Sequence, residues 1–424
     1  MISSSRHYNN LFWKNLPQNV HKLQNVIKMK NNCIEILKNT PYYQDNNEIY
    51  LDYQASTPLD ARVLNVMLPF MTTEFGNPHS SEHAVGWKAN AAVEHAQAQV
   101  ADYIGALDEE IVFTSGATES NNFAIIGIGY AALTKGISRK TILVSAIEHK
   151  CVLGAARFLT RFGFNIQKIP VNSDGIIDID QFKSMINDDV LLVSVMATNN
   201  EIGTVQPIKE IGQTCHENGI LFHTDAAQAC YENLDVIENN VDFMSISAHK
   251  IYGPKGIGAL FISNDAYLKP EPILYGGGQQ LGYRSGTVPA FLTVGFGEAA
   301  EIMANTKNAE RAELVRLRDK LLAEIQHQIP GVKINGSLEH RHPGNINILL
   351  PTMESKQLIY SVQPNVAFST GSACTSGVIE PSHVLKAIGL STSEAEHSFR
   401  MTVGRFTDDD DIAKAVEIIV QKGK

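Results

Sequence analysis

Leu191-Leu-Val-Ser-Val195 and Ile220-Leu-Phe-His223 bracket a helical candidate, Ile208 to Asn218, and this β-helix-β succession decides the fold class. Short runs of aliphatic and β-branched residues read as buried strands, and the segment between them is long enough to cross back over a sheet as a helix. The pattern repeats outward. Glu110-Ile-Val-Phe-Thr114 and Thr141-Ile-Leu-Val-Ser145 are further strands, and Val85 to Gly105 is another helix. Strand and helix in alternation imply an α/β domain with a largely parallel sheet, whose ligands gather beyond the carboxyl ends of the strands. After about Glu298 the chain turns helical, as in Ala309 to Ile329, then mixed. Asn345-Ile-Asn-Ile-Leu-Leu350 reads as a strand and Asp408 to Val420 as a closing helix. Thr407 is the expected cap of that helix, with Asp408 to Asp411 at the positive end of its dipole.

Bulk properties bound the function. A chain of 424 residues exceeds the usual size of one core, so two domains are expected. Apolar content of 44% and charged content of 19% belong to an ordinary globular protein. A net charge of -10 without clustered Lys and Arg argues against nucleic acid as a partner. The longest apolar run, about Phe123 to Leu133, is too short to cross a bilayer, so no membrane association is expected. Cys33, Cys151, Cys215, Cys230 and Cys374 show neither CxxC pairing nor metal-ligand spacing, which implies a reducing compartment and no intrinsic metal. The first 34 residues lack Asp and Glu but are rich in Asn, with one arginine. They read as an N-terminal extension of a cytoplasmic protein, the alternative being a mitochondrial transit peptide.

Chemistry-bearing residues fall at the strand ends. Phe113-Thr-Ser-Gly-Ala-Thr-Glu-Ser-Asn121 leads from a strand into a helix and suits a phosphate, through main-chain N–H groups and hydroxyls at the helix N-terminus. Such a turn also occurs as an ordinary capped βα connection. Asp242-Phe-Met-Ser-Ile-Ser-Ala-His-Lys250 ends a strand on a lysine whose amine can form a Schiff base. In His223-Thr-Asp225-Ala-Ala-Gln228 the carboxylate of Asp225 can pair with the pyridine nitrogen of pyridoxal phosphate (PLP) or simply cap a helix. His149 can stack on such a ring and move protons near neutral pH. Arg400 is a candidate for bidentate capture of a carboxylate, with Arg405 as its competitor. Cys374, in Phe368-Ser-Thr-Gly-Ser-Ala-Cys-Thr-Ser-Gly377, has little to pack against and reads as a reactive thiol. The other four cysteines have apolar or helical neighbours and read as structural.

Several longer motifs together resemble the cysteine desulfurases of iron-sulfur cluster assembly. They are Tyr50-Leu-Asp-Tyr-Gln-Ala-Ser-Thr-Pro58, Phe75-Gly-Asn-Pro-His-Ser80, Thr114-Ser-Gly-Ala-Thr-Glu-Ser120, Asn199-Asn-Glu-Ile-Gly203, Ser247-Ala-His-Lys250, Arg284-Ser-Gly-Thr287 and Gly371-Ser-Ala-Cys374. The resemblance runs from about Ile49 to Val420 and implies a fold-type-I PLP enzyme. Expected with it are a large domain over residues 60–304 with a mostly parallel seven-stranded sheet, and a smaller α+β domain from residues 48–59 and 305–424. Residues 1–47 are then an extension. The implied roles are Lys250 as Schiff-base lysine, His149 as ring-stacking acid-base residue, and Asp225 and Gln228 as partners of the pyridine nitrogen and phenolic oxygen. Thr118, Ser247 and His249 are implied at the phosphate, Thr287 at the phosphate of the neighbouring subunit, Asn200 near the ring, and Ala117 among the cofactor-binding residues. Arg400 is implied as carboxylate anchor, and Cys374 as the persulfide-forming nucleophile, able to ligate an iron-sulfur cluster transiently.

The implied substrate is L-cysteine, converted to L-alanine. The implied partners are a second copy of the chain and a scaffold protein or other sulfur acceptor. Tyr275 stands where many relatives have His, and the chain ends at Lys424 without the longer tail that helps dock the scaffold, which puts docking by that surface in question. A selenocysteine lyase on the same scaffold and a non-catalytic subunit that holds a sulfur acceptor are the competing readings. Preference for selenocysteine identifies the first, and lack of cofactor absorbance the second.

Overall fold

A computed structural model describes residues 48–371 and 381–423. The leader, Cys33 and Cys374 lie outside the described residues. The strands are β1 (Ile49–Tyr50), β2 (Ile111–Thr114), β3 (Thr141–Ser145), β4 (Asn165–Ile169), β5 (Val190–Ser194), β6 (Leu221–Asp225), β7 (Phe243–Ser247), β8 (Gly258–Ile262), β9 (Lys333–Ile334), β10 (Asn345–Leu349), β11 (Val366–Ala367) and β12 (Ser398–Thr402). Seven of them form the central sheet in the order β2-β8-β7-β6-β5-β3-β4. All neighbours pair parallel except β8, which runs antiparallel to β2 and β7. The expected mostly parallel seven-stranded α/β sheet is therefore present.

Every residue of β2, β3, β5, β6, β7 and β8 is buried, because helices cover both faces of a parallel sheet. That is why these strands read as continuous apolar runs rather than alternating ones. The edge strand β4 is less buried and leaves Asn165 and Lys168 exposed, and a charged side chain there blunts edge-to-edge pairing. Since β2, β3, β5, β6 and β7 point the same way, their carboxyl ends share one rim of the sheet. The residues that follow them, Ala117, His149, Asn200, Asp225 and Lys250, are collected along that rim.

A second sheet has the order β12-β10-β9, with Arg400 opposite Asn347 and Thr402 opposite Asn345. The chain leaving β1 lies alongside β12: Asp52 bridges Thr402, and the Gln54 N–H donates to Thr402 Oγ1 at 3.0 Å. This contact brings the first described residues to the rim of the central sheet.

Two expectations need correction. The helical stretch expected from about Glu298, as in Ala309 to Ile329, is one helix that already starts at Ala290 and spans Ala290–Gln328. Its first half is written in small residues, and Gly297 lies so close to the helix Ala84–Ile104 that an added Cβ would sit 2.8 Å from the Ala96 Cα. Close packing against that neighbour stabilises a stretch whose glycines weaken it locally. The last helix, Asp409–Gly423, is capped by Asp408, whose Oδ1 accepts from the Asp411 N–H at 2.9 Å. Thr407 Oγ1 instead accepts from the Gly404 N–H at 3.0 Å. A carboxylate at a helix start gains from the dipole as well as the hydrogen bond, so Asp408 wins the position.

Candidate active site

A cleft of about 760 Å³ opens at the rim of the central sheet. Ala117, Thr118, His149, Asn200, Asp225, Gln228, Ser247, His249, Lys250 and Arg400 all line it. Ten of the expected site residues are thus brought to one place from six separate segments. Thr287 is exposed and does not line this cleft.

Lys250 follows β7 through a single 3-10 turn, Ala248–Lys250. Its Nζ donates to the main-chain oxygens of Gln54 at 2.5 Å and Ala55 at 2.9 Å. Burial, helped by the nearby positive charge of Arg400, lowers its pKa to about 7, against the opposing pull of Asp52 and Asp225. A lysine held by neutral carbonyls, with a substantial free-amine fraction at neutral pH, suits Schiff-base chemistry.

Asp225 ends β6 in a buried position. Asn121 Nδ2 donates to its Oδ2 at 2.6 Å, and the Ala227 N–H donates to its Oδ1 at 3.0 Å. The carboxylate has no ion-pair partner among the described residues, which leaves it suited to a cationic ring N–H. His149 caps the helix Lys150–Leu159, its Nδ1 accepting from the Cys151 N–H at 3.2 Å. With Nδ1 engaged as an acceptor, the proton of the neutral ring resides on Nε2. Burial lowers the His149 pKa; Asp225 opposes this and Lys250 adds to it. Behind it, burial holds the Glu148 carboxyl well above the ordinary carboxylate range.

The turn before helix Ala117–Thr134 has the form of an anion cradle. No side chain caps the helix start, so the first N–H groups are open to a ligand. Gly116 adopts φ +147°, and a Cβ there would project toward Ser247 Oγ at 3.9 Å, into the space the cradle leaves. His249 lies beside it with Nδ1 3.2 Å from Ser56 Oγ, and burial lowers its pKa to about 4 with the charges of Lys250 and Lys255 adding. The anion cradle, the unpaired carboxylate and the low-pKa lysine together match the donor set that PLP requires: phosphate, ring nitrogen and aldehyde.

Opposite the sheet, Arg400 enters from β12. Its Nη1 donates to Asn200 O, and its Nη2 donates to Asp52 Oδ1 at 2.5 Å and to Ser369 Oγ at 3.0 Å. Its Nε is buried without a partner. Arg405, the competitor, is absorbed by structure: it pairs with Asp60 at 2.7 Å and Glu310 at 2.9 Å and lies 4.0 Å over the Tyr252 ring.

Cys215 and Cys230 are buried, as expected of structural thiols. Cys151 departs from that reading, since its Sγ lines the cleft 2.9 Å from His149 Nδ1. Burial pushes this thiol up to about 12, so it is an uncharged neighbour rather than a thiolate. Asn121, Asp52 and Gln54 were not singled out from sequence. Asp52 and Gln54 sit inside the Tyr50-to-Pro58 motif, which was a signal for the segment without a role for either residue.

Comparison with known proteins agrees with this geometry. The aminotransferase class-V family model matches residues 49–414. A cysteine desulfurase IscS of Rickettsia typhi is 48% identical over 88% of this chain and 90% of its own. A probable mitochondrial cysteine desulfurase of Dictyostelium discoideum is 47% identical over 88% of this chain and 83% of its own. Among solved structures, a NifS-like protein superposes with a TM-score of 0.81 at 31% identity, covering 88% of this chain and 98% of that one. SspA in complex with cysteine superposes with a TM-score of 0.74 at 37% identity, covering 85% and 99%. The chain belongs to the class-V aminotransferase family, as a PLP-dependent cysteine desulfurase.

Proposed function

We propose that the cleft takes sulfur from L-cysteine and passes it to Cys374, releasing L-alanine. The observation that carries this reading is the meeting of Lys250, His149 and Asp225 from three strand ends in one cleft with Arg400. Bound PLP supplies an electron sink that acidifies the substrate α-carbon and loosens its carbon-sulfur bond. Asp225 would hold the ring nitrogen, with Gln228 and Asn200 beside the ring. The Gly116–Thr118 turn, Ser247 and His249 would hold the phosphate.

Arg400 orients the substrate through its carboxylate, and the amine of Lys250 takes the α-proton. His149 holds its exchangeable proton on Nε2, because Nδ1 is engaged by the Cys151 N–H, so it exchanges protons with the substrate at that one atom. The thiolate of Cys374 attacks the substrate sulfur. One S–S bond forms, one C–S bond breaks, and the proton lost by the Cys374 thiol balances the one gained at the product's β-carbon. L-Cysteine and one thiol thus yield L-alanine and one persulfide, with no outside oxidant. Gly371 lines the cleft, and three residues of chain span at most about 11 Å, which supports delivery by Cys374.

The persulfide serves iron-sulfur cluster assembly and other sulfur-transfer pathways, with a scaffold protein or other acceptor as recipient. We read the enzyme as a homodimer in which Thr287 reaches the partner's phosphate. Exposure of Phe75 (75%), Tyr275 (78%) and Leu281 (82%) supports a covered face. Location in cytoplasm or mitochondrion turns on residues 1–34, and a reporter fused to them reads it directly. None of the described helices is long and apolar enough to cross a membrane.

The test is the Cys374→Ala holoenzyme. Cofactor absorbance should persist while persulfide formation from L-cysteine is lost. Sulfur delivery at the native rate by this variant refutes the assignment.

A further inference from the structure

We propose that the side-chain amide of Gln54 is a further substrate-binding group, donating from Nε2 to the carboxylate of the amino-acid substrate alongside Arg400. The inference rests on the reading of the cleft as an amino-acid site and adds a residue to it.

Gln54 lines the cleft and is only 3% exposed, yet its Nε2 has no hydrogen-bond partner. A buried amide donor left unmet is destabilising, so it calls for an explanation. Its orientation follows from a chain of forced choices that starts at Arg341. That guanidinium is buried and can only donate; its Nη1 donates to Asn345 Oδ1 at 2.7 Å. Asn345 must therefore turn its Nδ2 the other way, where it donates to Gln54 Oε1 at 2.5 Å. Gln54 is thereby fixed with its oxygen toward Asn345 and its NH₂ group left over. A flipped amide would set two donors against each other.

The second leftover donor in the cleft is Arg400 Nε. The two residues are neighbours, because the segment after β1 lies along β12. The Gln54 N–H donates to Thr402 Oγ1, and Asp52 takes the Arg400 Nη2. One unmatched amide N–H in the turn after β1 and one unmatched guanidinium N–H on β12 form a donor pair with no acceptor of its own. The amino-acid group that supplies two acceptor oxygens and a negative charge is the carboxylate. The main-chain oxygen of Gln54 meanwhile accepts from Lys250 Nζ and from Gln228 Nε2 at 2.8 Å. The same residue thus joins the carboxylate subsite to the reacting amine.

The experiment uses PLP-loaded wild type, Gln54→Ala and Gln54→Glu. Three quantities are measured: KM and kcat for L-cysteine, the affinity for L-alanine by absorbance titration, and the affinity for cysteamine, which lacks a carboxylate. Gln54→Ala should raise the KM for L-cysteine and weaken L-alanine by about 10-fold, the loss of one hydrogen bond to a charged group. Gln54→Glu keeps the shape and the acceptor for Asn345 but places an anion beside the carboxylate, and should weaken both further. Cysteamine affinity should not change in either variant. Unchanged KM and L-alanine affinity, or equal weakening of L-alanine and cysteamine, overturns the proposal. Failure of the wild type to make alanine from L-cysteine instead overturns the desulfurase reading, and L-alanine binding still reports on Gln54 in that case.

Discussion

The two walls of the cleft are finished differently. On the sheet wall, the groups proposed for chemistry have internal partners: Asp225 accepts from Asn121 and Ala227, Lys250 donates to two carbonyls, and His149 Nδ1 accepts from the Cys151 N–H. On the strand wall, Gln54 and Arg400 each keep a buried N–H without an acceptor. Internal hydrogen bonds fix the protonation and orientation of a reacting group before substrate arrives, whereas leftover donors can be satisfied only by what binds. The sheet wall sets reactivity and the strand wall sets recognition.

Substitutions should separate the two along that line. Lys250→Ala removes the reacting amine and should cost at least about 10⁴-fold in turnover, with thermal stability retained. Activity near the native rate would break the comparison at once. Arg400→Lys loses the planar donor and should raise the KM for L-cysteine by about 100-fold with a smaller change in kcat. Arg405→Lys, five residues on, should leave KM unchanged and lower stability, because its ion pairs with Asp60 and Glu310 are structural. Asn121→Ala removes a donor from Asp225 and should weaken cofactor binding by about 10-fold without altering KM at saturating PLP.

The smallest effect couples the walls. In cofactor-free protein the Lys250 amine is protonated below its pKa and free above it, so its reaction rate with an aldehyde should rise through about pH 7 and then level off. Arg400→Met removes a positive charge that holds this pKa down, so the midpoint should move upward. A midpoint near the ordinary lysine value in the wild type contradicts the environment described for Lys250.

Much of the sheet wall was legible in the sequence, because parallel strands announce themselves as apolar runs and place chemistry just beyond their ends. Lys250, Asp225 and His149 each follow such a run. The strand wall was less so. Arg400 stood out by its type, but Gln54 acts through Asn345, 291 residues away, and Asp225 is held by Asn121, 104 residues away. No local period or motif encodes such pairs; they exist only once the sheets are assembled. The same holds for residues 290–297, whose glycines argue locally against helix and become intelligible only against the helix Ala84–Ile104. Thr407 was displaced as a cap by the adjacent Asp408, whose carboxylate gains from the helix dipole as well as the hydrogen bond.

The account turns on which amine the cleft presents to the cofactor aldehyde, since Lys150 and Lys255 line it as well as Lys250. Borohydride reduction of the PLP-loaded enzyme followed by peptide mapping answers this directly. The account predicts the reduced pyridoxyl group on Lys250 alone. Label on Lys150 or Lys255, or none on any of the three, would contradict it.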